Sequence, residues 1–441
     1  MSWTAGEEAR GRWSGSPSIA ARLGDRTPRC PCRRPRPVAE PSVVTGAAVR
    51  GLGDSRSPPR ATVLELLFDI VYVFALARLA GRVADDLTIV RHSLLSEAGQ
   101  TLLFFAAMWM IWSLNSLMAS TYDPRRTDIQ IVLLATMFGT LVLAVTLPQA
   151  FGQRGVIFAC AYVLIQVGRP LYLTWALRGH PMREVSVRVL SWHAVSGVLW
   201  IGGGISGGLG RGVFWTIALV IEVIGAAANW PALGFARARR DALSEVSSMH
   251  LAERYNQFFM IALAEVVLEA GLTISFPGFS TLRTVTLVAS FVAVVAFWRI
   301  YFYHAGPDRD TTASSAGEGM QLSRWASFSL LLIVGGIICL AVGFGQIMEN
   351  PDPPIDWALV VVVFGGPVLF LIGRTYLEQL TSTGSRCRIL LLGALALTVT
   401  APPMVVLPPI AAVVTASSIL AVIAILDGHA HRRESDTNPQ L

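Results

Sequence analysis

The chain has 441 residues, of which 53% are hydrophobic and 15% are charged, with a mean hydropathy of +0.55. Soluble domains carry about 25% charged residues, so this composition excludes an ordinary soluble protein. The formal net charge of +6 does not indicate nucleic-acid binding, because the basic residues, all of them Arg, lie mainly near the termini and between apolar runs.

The N-terminal segment, 1–60, differs in composition from the rest of the chain. It is rich in Arg, Pro, Gly and Ser, and it has too few apolar residues to bury a hydrophobic face. We expect this segment to form a disordered tail, and the absence of an apolar central region argues against a signal peptide. The same composition fits a protein whose working part begins near residue 60.

Long apolar runs predict the fold class. The run SFSLLLIVGGIICLAVGFG, residues 327–345, is long enough to cross the hydrocarbon layer of a membrane as a helix. Strands of a membrane barrel would instead show alternating segments of about 10 residues. The sequence therefore predicts an all-α, polytopic transmembrane helix bundle whose main partner is the lipid bilayer.

The apolar runs predict about twelve spans. They lie near residues 64–80, 98–119, 130–148, 155–177, 189–206, 212–230, 255–276, 281–303, 325–347, 357–375, 387–402 and 407–426. The proline-rich segment APPMVVLPP should supply the turn between the last two, because Pro interrupts a helix. We divide the chain into the tail 1–60, two membrane halves at 61–240 and 241–428, and a C-terminal tail at 429–441.

The distribution of Arg between the spans predicts an orientation. If the N-terminus is cytoplasmic, so are the even-numbered loops, and these loops carry most of the loop arginines, such as Arg125, Arg126, Arg237, Arg239 and Arg240. Cytoplasmic loops of membrane proteins are enriched in basic residues. We therefore expect a plasma-membrane protein with both termini in the cytoplasm.

Similar segments recur in the two membrane halves at a nearly constant offset in residue number. Glu65 opens the first predicted span and Glu253 opens the seventh. The segment WMIWS at 109–113 in the first half likewise resembles WRIYF at 298–302 in the second half. The near-equal offsets favour two six-helix repeats of the same orientation, an arrangement known in transporters. The alternative is that apolar helices resemble one another by chance.

Several charged residues lie inside the predicted spans. Glu65 and Asp69 are four residues apart and share a helix face, as do Glu265 and Glu269. Each charge in mid-membrane costs about 2.5–3.5 kcal/mol on insertion scales, so we expect these groups to face a polar interior or a counter-charge. Arg299 is the most deeply placed cation, and we expect it to pair with Glu265 or Glu65.

Three explanations of these charges remain open. The groups can form a proton or cation site between spans 1, 2, 7 and 8, or they can form fixed ion pairs that hold the bundle together. Alternatively, Glu65 and Glu253 can cap helix N-termini, where the helix dipole favours anions. Elsewhere, Asn115 and Glu222 are expected to form hydrogen bonds across helices.

Signatures of enzymes, cofactors and metals are absent from the sequence. We find no G-x-S-x-G, no H-E-x-x-H, no phosphate-binding loop and no paired Cys or His ligands at metal spacing. We therefore expect a protein that is not an enzyme, with no catalytic, cofactor-binding or metal-binding residues.

Three segments resemble those of one protein family. ELLFDIVYVFALARLA (65–80), HLAERYNQFFMIALAEVVLEAG (250–271) and FWRIYFYHA (297–305) are similar to segments of the bacterial low temperature requirement A family. The resemblance implies a multi-pass membrane protein but no particular biochemical activity. It places the family's characteristic polar residues at Glu65, Asp69, Glu253, Arg254 and Glu265.

The sequence supports two hypotheses of function. The first is a transporter or channel-like protein for protons or small cations, which uses a charge site formed by Glu65, Asp69, Glu253, Arg254, Glu265, Glu269 and Arg299. The second is a membrane stress-response or scaffold protein without transport activity, whose buried charges are structural.

Overall fold

The computed structural model describes residues 62–88, 94–122, 126–179, 182–231, 248–275, 280–302, 316–350, 355–381 and 386–437. Within these ranges the chain forms twelve long helices and no strand. The helices are α1 (Val63–Thr88), α2 (Leu94–Thr121), α3 (Thr127–Thr146), α4 (Gly155–Ala176), α5 (Met182–Ile205), α6 (Gly208–Ala227), α7 (Ser248–Ser275), α8 (Thr281–Phe302), α9 (Ala316–Glu349), α10 (Trp357–Thr381), α11 (Arg386–Thr400) and α12 (Pro409–Thr437). The predicted tail at 1–60 lies outside the described residues.

The predicted helical membrane bundle is confirmed. Eleven of the described helices, α2 to α12, are long and apolar enough to cross a membrane. Helix α1 has 26 residues, but its apolar stretch also carries Glu65, Asp69 and Arg78. As predicted, a proline-rich turn separates the last two helices, and it forms a short 3-10 helix at Pro402–Val405.

The helix neighbours of the first half recur in the second half. Helix α1 packs against α2 and α3, the chain continues through α4 and α5 to α6, and α6 returns to α2. Helix α7 packs in the same way against α8 and α9, and α12 returns to α8. The two groups meet where α7 contacts α1 and α2 and where α9 contacts α1. This pattern is what two six-helix repeats would show. The predicted boundary between the halves, at residue 240, lies outside the described residues.

Glycines allow α9 and α10 to cross at backbone contact. A Cβ atom added at Gly366 would lie 2.8 Å from the Gly336 carbonyl oxygen, and one added at Gly336 would collide with the Gly366 carbonyl oxygen. Along the same pair of helices, Gly373 lies against Ser329 and Gly343 lies against Val363. Residue numbers fall on α10 as they rise on α9, so these consecutive helices are antiparallel.

One buried arginine joins several helix ends. Arg211, in the first turn of α6, donates hydrogen bonds only to backbone carbonyl groups, at donor–acceptor distances of 2.7–3.2 Å. The acceptors are Gly203, Gly204 and Ser206 at the end of α5, and Ala150 and Gly152 in the turn before α4. A cation is stabilised there because the unpaired carbonyls at a helix C-terminus carry partial negative charge.

We expect Gly336→Ala to lower the thermal unfolding midpoint of the purified protein in detergent. The added methyl group would force α9 and α10 apart, and such overpacking typically costs about 1–3 kcal/mol. Gly81→Ala is the matched control, because Gly81 lies on a helix with nothing within 4 Å of an added Cβ. Its midpoint should stay the same or rise, since Ala favours helix formation. Equal midpoints for both variants would contradict the proposed crossing.

Candidate functional site

Helices α1 and α7 meet in a regular series of side-chain contacts. The contacting pairs, in order along both helices, are Glu65 with His250, Asp69 with Arg254, and Tyr72 with Phe258. Residue numbers rise together on the two helices, so α1 and α7 are parallel. Helices α1 and α7, the first helices of the two predicted halves, therefore lie side by side. Charged side chains form part of the contact between them.

The strongest interaction in this series joins Asp69 to Arg254. Both terminal nitrogens of Arg254 donate to the Asp69 carboxylate at 2.8 Å, one to each oxygen, and Trp112 Nε1 on α2 donates to Oδ1 at 3.1 Å. Both charged side chains are buried, with 0% and 1% of their surface exposed. Two parallel charge-assisted hydrogen bonds fix distance and orientation together, so this pair holds α1 against α7 in one register.

Glu65 caps the start of α1. The backbone N–H and the hydroxyl of Thr62 donate to Glu65 Oε2 at 2.7 and 2.9 Å, and the Glu65 N–H donates to Thr62 Oγ1 at 3.4 Å. This reciprocal arrangement is a capping box, and it confirms the capping alternative for Glu65. Glu253 does not cap a helix, because α7 begins at Ser248 and has no acidic residue in its first turn.

His250 links the Glu65 carboxylate to α2. Its Nε2 lies 3.4 Å from Glu65 Oε2, and its Nδ1 lies 3.1 Å from Ser120 Oγ. The Ser120 hydroxyl donates to the Ser116 carbonyl oxygen at 2.9 Å, so its oxygen is left to accept from His250. The His250 ring therefore connects α7 to both α1 and α2.

Four aromatic side chains follow the Asp69–Arg254 pair along the bundle. We call Tyr72, Trp109, Trp112 and Phe258 the aromatic layer. Phe258 is central to it, with ring centroids 4.2 Å from Trp112, 5.4 Å from Tyr72 and 5.9 Å from Trp109. The layer is buried and drawn from α1, α2 and α7, so it closes the space between these three helices.

Glu265 and Glu269 lie beyond the aromatic layer, on the same face of α7 as Arg254 and Phe258, because their spacings from Phe258 and from each other match whole helical turns. Glu265 is 5% exposed and Glu269 is half-buried. A Cβ added at Gly345 of α9 would lie 2.7 Å from Glu269 Oε1, so this carboxylate lies directly against the α9 backbone. Neither carboxylate has a hydrogen bond or ion pair within the described structure.

The other predicted site residues are more dispersed. Glu253 is half-buried on α7. Arg299 on α8 donates from Nε to the Ala424 carbonyl oxygen of α12 at 3.1 Å, and its expected pairing with Glu265 or Glu65 is not found among the described contacts. The structure therefore brings together Glu65, Asp69 and Arg254, places Glu265 and Glu269 farther along α7, and removes Arg299 from the site.

A second buried carboxylate centre lies between α4, α5 and α6. Glu222 accepts hydrogen bonds from the Tyr162 hydroxyl at 2.6 Å, the Ser196 hydroxyl at 2.8 Å and the Trp200 indole at 3.0 Å. The predicted cross-helix hydrogen bonding of Glu222 is confirmed. The same prediction for Asn115 on α2 is wrong, because neither polar atom of its buried amide has a hydrogen-bond partner among the described residues. Tyr162, Ser196 and Trp200 could not be predicted from the sequence, because nothing there distinguishes them from other polar and aromatic residues in apolar spans.

The direction of the hydrogen bonds around Glu222 is fixed by Arg169. Arg can only donate, so Gln166 must present its oxygen to Arg169 Nη2, at 2.8 Å, and its amide N–H to Tyr162, at 3.3 Å. Tyr162 must then donate to Glu222. The chain of hydrogen bonds runs one way from Arg169 to Glu222, which suits a structural role.

Three sets of buried charges that have partners lie toward the same end of the bundle. Asp69 and Arg254 lie early in α1 and α7, whereas Arg169 and Glu222 lie late in α4 and α6. Helices α4 and α6 run opposite to α1 and α7. The late parts of α4 and α6 therefore lie at the same end of the bundle as the early parts of α1 and α7. The Arg374–Glu378 pair, joined at 2.6 Å late in α10, lies toward the same end. The unpaired Glu265 and Glu269 lie toward the opposite end of the bundle.

The described residues include no group of three or more His, Cys, Asp or Glu side chains placed to hold a metal ion. The site is thus a set of charges, hydroxyls and aromatic rings. These groups can form ion pairs and hydrogen bonds with one another.

Comparison with known proteins gives one family and one relative. Residues 60–425 match the family described as bacterial low temperature requirement A protein (LtrA). A protein of Rhizobium meliloti (strain 1021), described as uncharacterized, is 34% identical over 333 residues, which are 73% of this chain and 78% of the relative. No solved structure matches the chain.

We expect Asp69→Asn to destabilise the protein by about 3–5 kcal/mol, because it leaves the Arg254 cation buried without its counter-charge. The double variant Asp69→Asn/Arg254→Gln should recover part of this loss, since no net charge remains buried. Thermal unfolding in detergent measures both effects.

Asp128→Asn is the control for this experiment. The Arg126–Asp128 pair is 40% and 44% exposed, and exposed pairs contribute about 0–1 kcal/mol. A double variant as unstable as the sum of its two single variants would contradict a direct coupling between Asp69 and Arg254.

Proposed function

We propose a transport function for this chain, which belongs to the bacterial low temperature requirement A family. In this proposal the protein conducts or carries protons or small cations across the cell membrane. Glu265 and Glu269 are the groups that take up the proton or cation, and the Asp69–Arg254 pair fixes the helices around them.

The unpaired state of Glu265 is the observation that carries this proposal. Glu65, Asp69 and Glu222 each accept hydrogen bonds from neighbouring side chains or backbone. Glu265 is as deeply buried as many core residues and accepts none from the described structure. A buried anion without donors is costly, and the cost disappears when the carboxylate binds a proton or a cation.

The neighbourhood of Glu269 supports the same proposal. Glu269 lies one helical turn beyond Glu265, so an exchangeable proton or cation has a second carboxylate within reach. No described cation neutralises either group. Two adjacent carboxylates without a fixed counter-charge favour binding of one mobile positive charge between them.

A protein without transport activity is the second candidate. The two-point contact between Asp69 and Arg254 and the one-way hydrogen bonds around Glu222 are what a membrane scaffold or stress-response protein would use for stability. This candidate accounts for the partnered charges but gives no role to Glu265 and Glu269.

We propose the plasma membrane as the location, with both termini cytoplasmic, because of the distribution of Arg between the spans.

The test is proton flux into liposomes that contain the purified protein. A pH-sensitive dye inside the liposomes reports flux driven by a potassium diffusion potential, and parallel runs with a sodium gradient test a cation other than the proton. Glu265→Gln and Glu269→Gln should each lower the wild-type flux at least tenfold, because an amide cannot take up the proton or cation.

Glu184→Gln is the matched control, because Glu184 is an exposed glutamate in the first turn of α5. Its flux should equal that of wild type. Folded Glu265→Gln and Glu269→Gln proteins with wild-type flux would overturn the proposal. Wild-type protein that passes neither protons nor sodium would favour the scaffold.

A further inference from the structure

The two charged parts of α7 are separated by an apolar gap. Arg254 and Glu265 lie about 16 Å apart along the helix axis, from the rise of about 1.5 Å per residue. On this face of α7 the residues between them include Phe258 and Ile261, and Phe258 contacts rings from α1 and α2. A proton cannot cross such a distance directly, so the aromatic layer separates Glu265 from the Asp69–Arg254 pair.

One hydroxyl group lies inside this aromatic layer. The Tyr72 ring is 0% exposed and packs edge-on against Phe258, and its hydroxyl has no hydrogen bond within the described structure. Tyr72 follows Asp69 by three residues on the same face of α1. A buried hydroxyl without a partner is unfavourable, and a Phe in its place would keep the ring and avoid the loss.

The hydroxyl of Tyr162 shows what a structural tyrosine does in this bundle. Tyr162 is also fully buried, but its hydroxyl donates to Glu222 at 2.6 Å and accepts from Gln166 at 3.3 Å. These two tyrosines of equal burial therefore differ in one respect, which is that the Tyr72 hydroxyl is left without a partner among the described residues. An unsatisfied buried polar group in a native protein calls for an explanation, and a functional role is one of the recognised explanations.

We infer that the Tyr72 hydroxyl is the relay that passes protons across the aromatic layer, and that the Phe258 ring is the barrier which keeps this route closed. The inference rests on the proposed transport function. When the Phe258 ring moves aside, water reaches both sides of the hydroxyl. The Tyr72 oxygen takes a proton from a hydronium ion on the Glu265 side, which becomes water, and releases its own proton to a water on the Asp69 side, which becomes hydronium. Rotation of the hydroxyl then restores the starting state, with no net change in bonds.

The decisive variant is Tyr72→Phe, which removes one oxygen atom and leaves the ring. We expect a thermal unfolding midpoint equal to or above that of wild type, because the lost hydroxyl makes no hydrogen bond with the described residues. Proton flux in the liposome assay should fall at least tenfold. A merely structural Tyr72 would leave flux unchanged.

Tyr162→Phe is the matched control. It removes the donor to Glu222, so its unfolding midpoint should fall, while flux per folded protein should remain that of wild type. The pair of variants therefore predicts opposite outcomes: Tyr72→Phe loses flux without losing stability, and Tyr162→Phe loses stability without losing flux.

The barrier is tested by Phe258→Ala against Phe259→Ala. Both rings are 0% exposed, but Phe259 points to another part of the bundle and stacks on Tyr301 at 3.8 Å. Removing either ring should lower the unfolding midpoint. Only Phe258→Ala should raise proton leak in liposomes without an imposed potential, by tenfold or more over wild type.

These outcomes separate the inference from the function on which it rests. If Glu265→Gln blocks flux but Tyr72→Phe retains it, or if Phe258→Ala leaks no more than Phe259→Ala, the relay and barrier are overturned and the transport function stands. If Glu265→Gln and Glu269→Gln both retain wild-type flux, the proposed function itself is overturned.

Discussion

The bundle depends on one charged contact, the two-point hydrogen bond between Asp69 and Arg254. It joins the first helix of one half to the first helix of the other, across 185 residues of sequence. A carboxylate alone in α1, or a guanidinium alone in α7, would be expensive to bury in a membrane. Together they neutralise each other's charge, and their two-point geometry sets the register on which the contacts of Glu65 and Tyr72 depend.

The carboxylates of the bundle fall into two groups. Asp69 and Glu378 are each paired with an Arg, toward the end of the bundle where α1 begins. Toward the other end, Glu265 and Glu269 have no partner among the described residues. Stability requires that buried charges be neutralised within the protein, whereas exchange with protons or cations requires groups that the protein leaves unneutralised. The aromatic layer lies between these two regions.

Most of the fold could be predicted from the sequence, because each span is an apolar run whose length is set by the membrane. The shared faces of Glu65 with Asp69 and Glu265 with Glu269 followed from helix periodicity alone. The contact of Arg299 could not be predicted, because one sequence does not reveal that its side chain meets the backbone of α12 rather than Glu265 on α7. The capping of α1 was readable in principle, since Thr62 and Glu65 form the T-x-x-E pattern of a helix start. The Asp69–Arg254 contact needed the adjacency of α1 and α7, which only the folded chain supplies.

The long separation of Asp69 and Arg254 has a consequence for biosynthesis. A ribosome that adds about 5–20 residues per second makes Arg254 roughly 10–40 s after Asp69. During this interval α1 must wait beside the insertion machinery or at the lipid surface, because its acidic residue has no guanidinium to meet. Helix α1 therefore settles only after α7 has emerged, and maturation of the N-terminal half is coupled to synthesis of the C-terminal half.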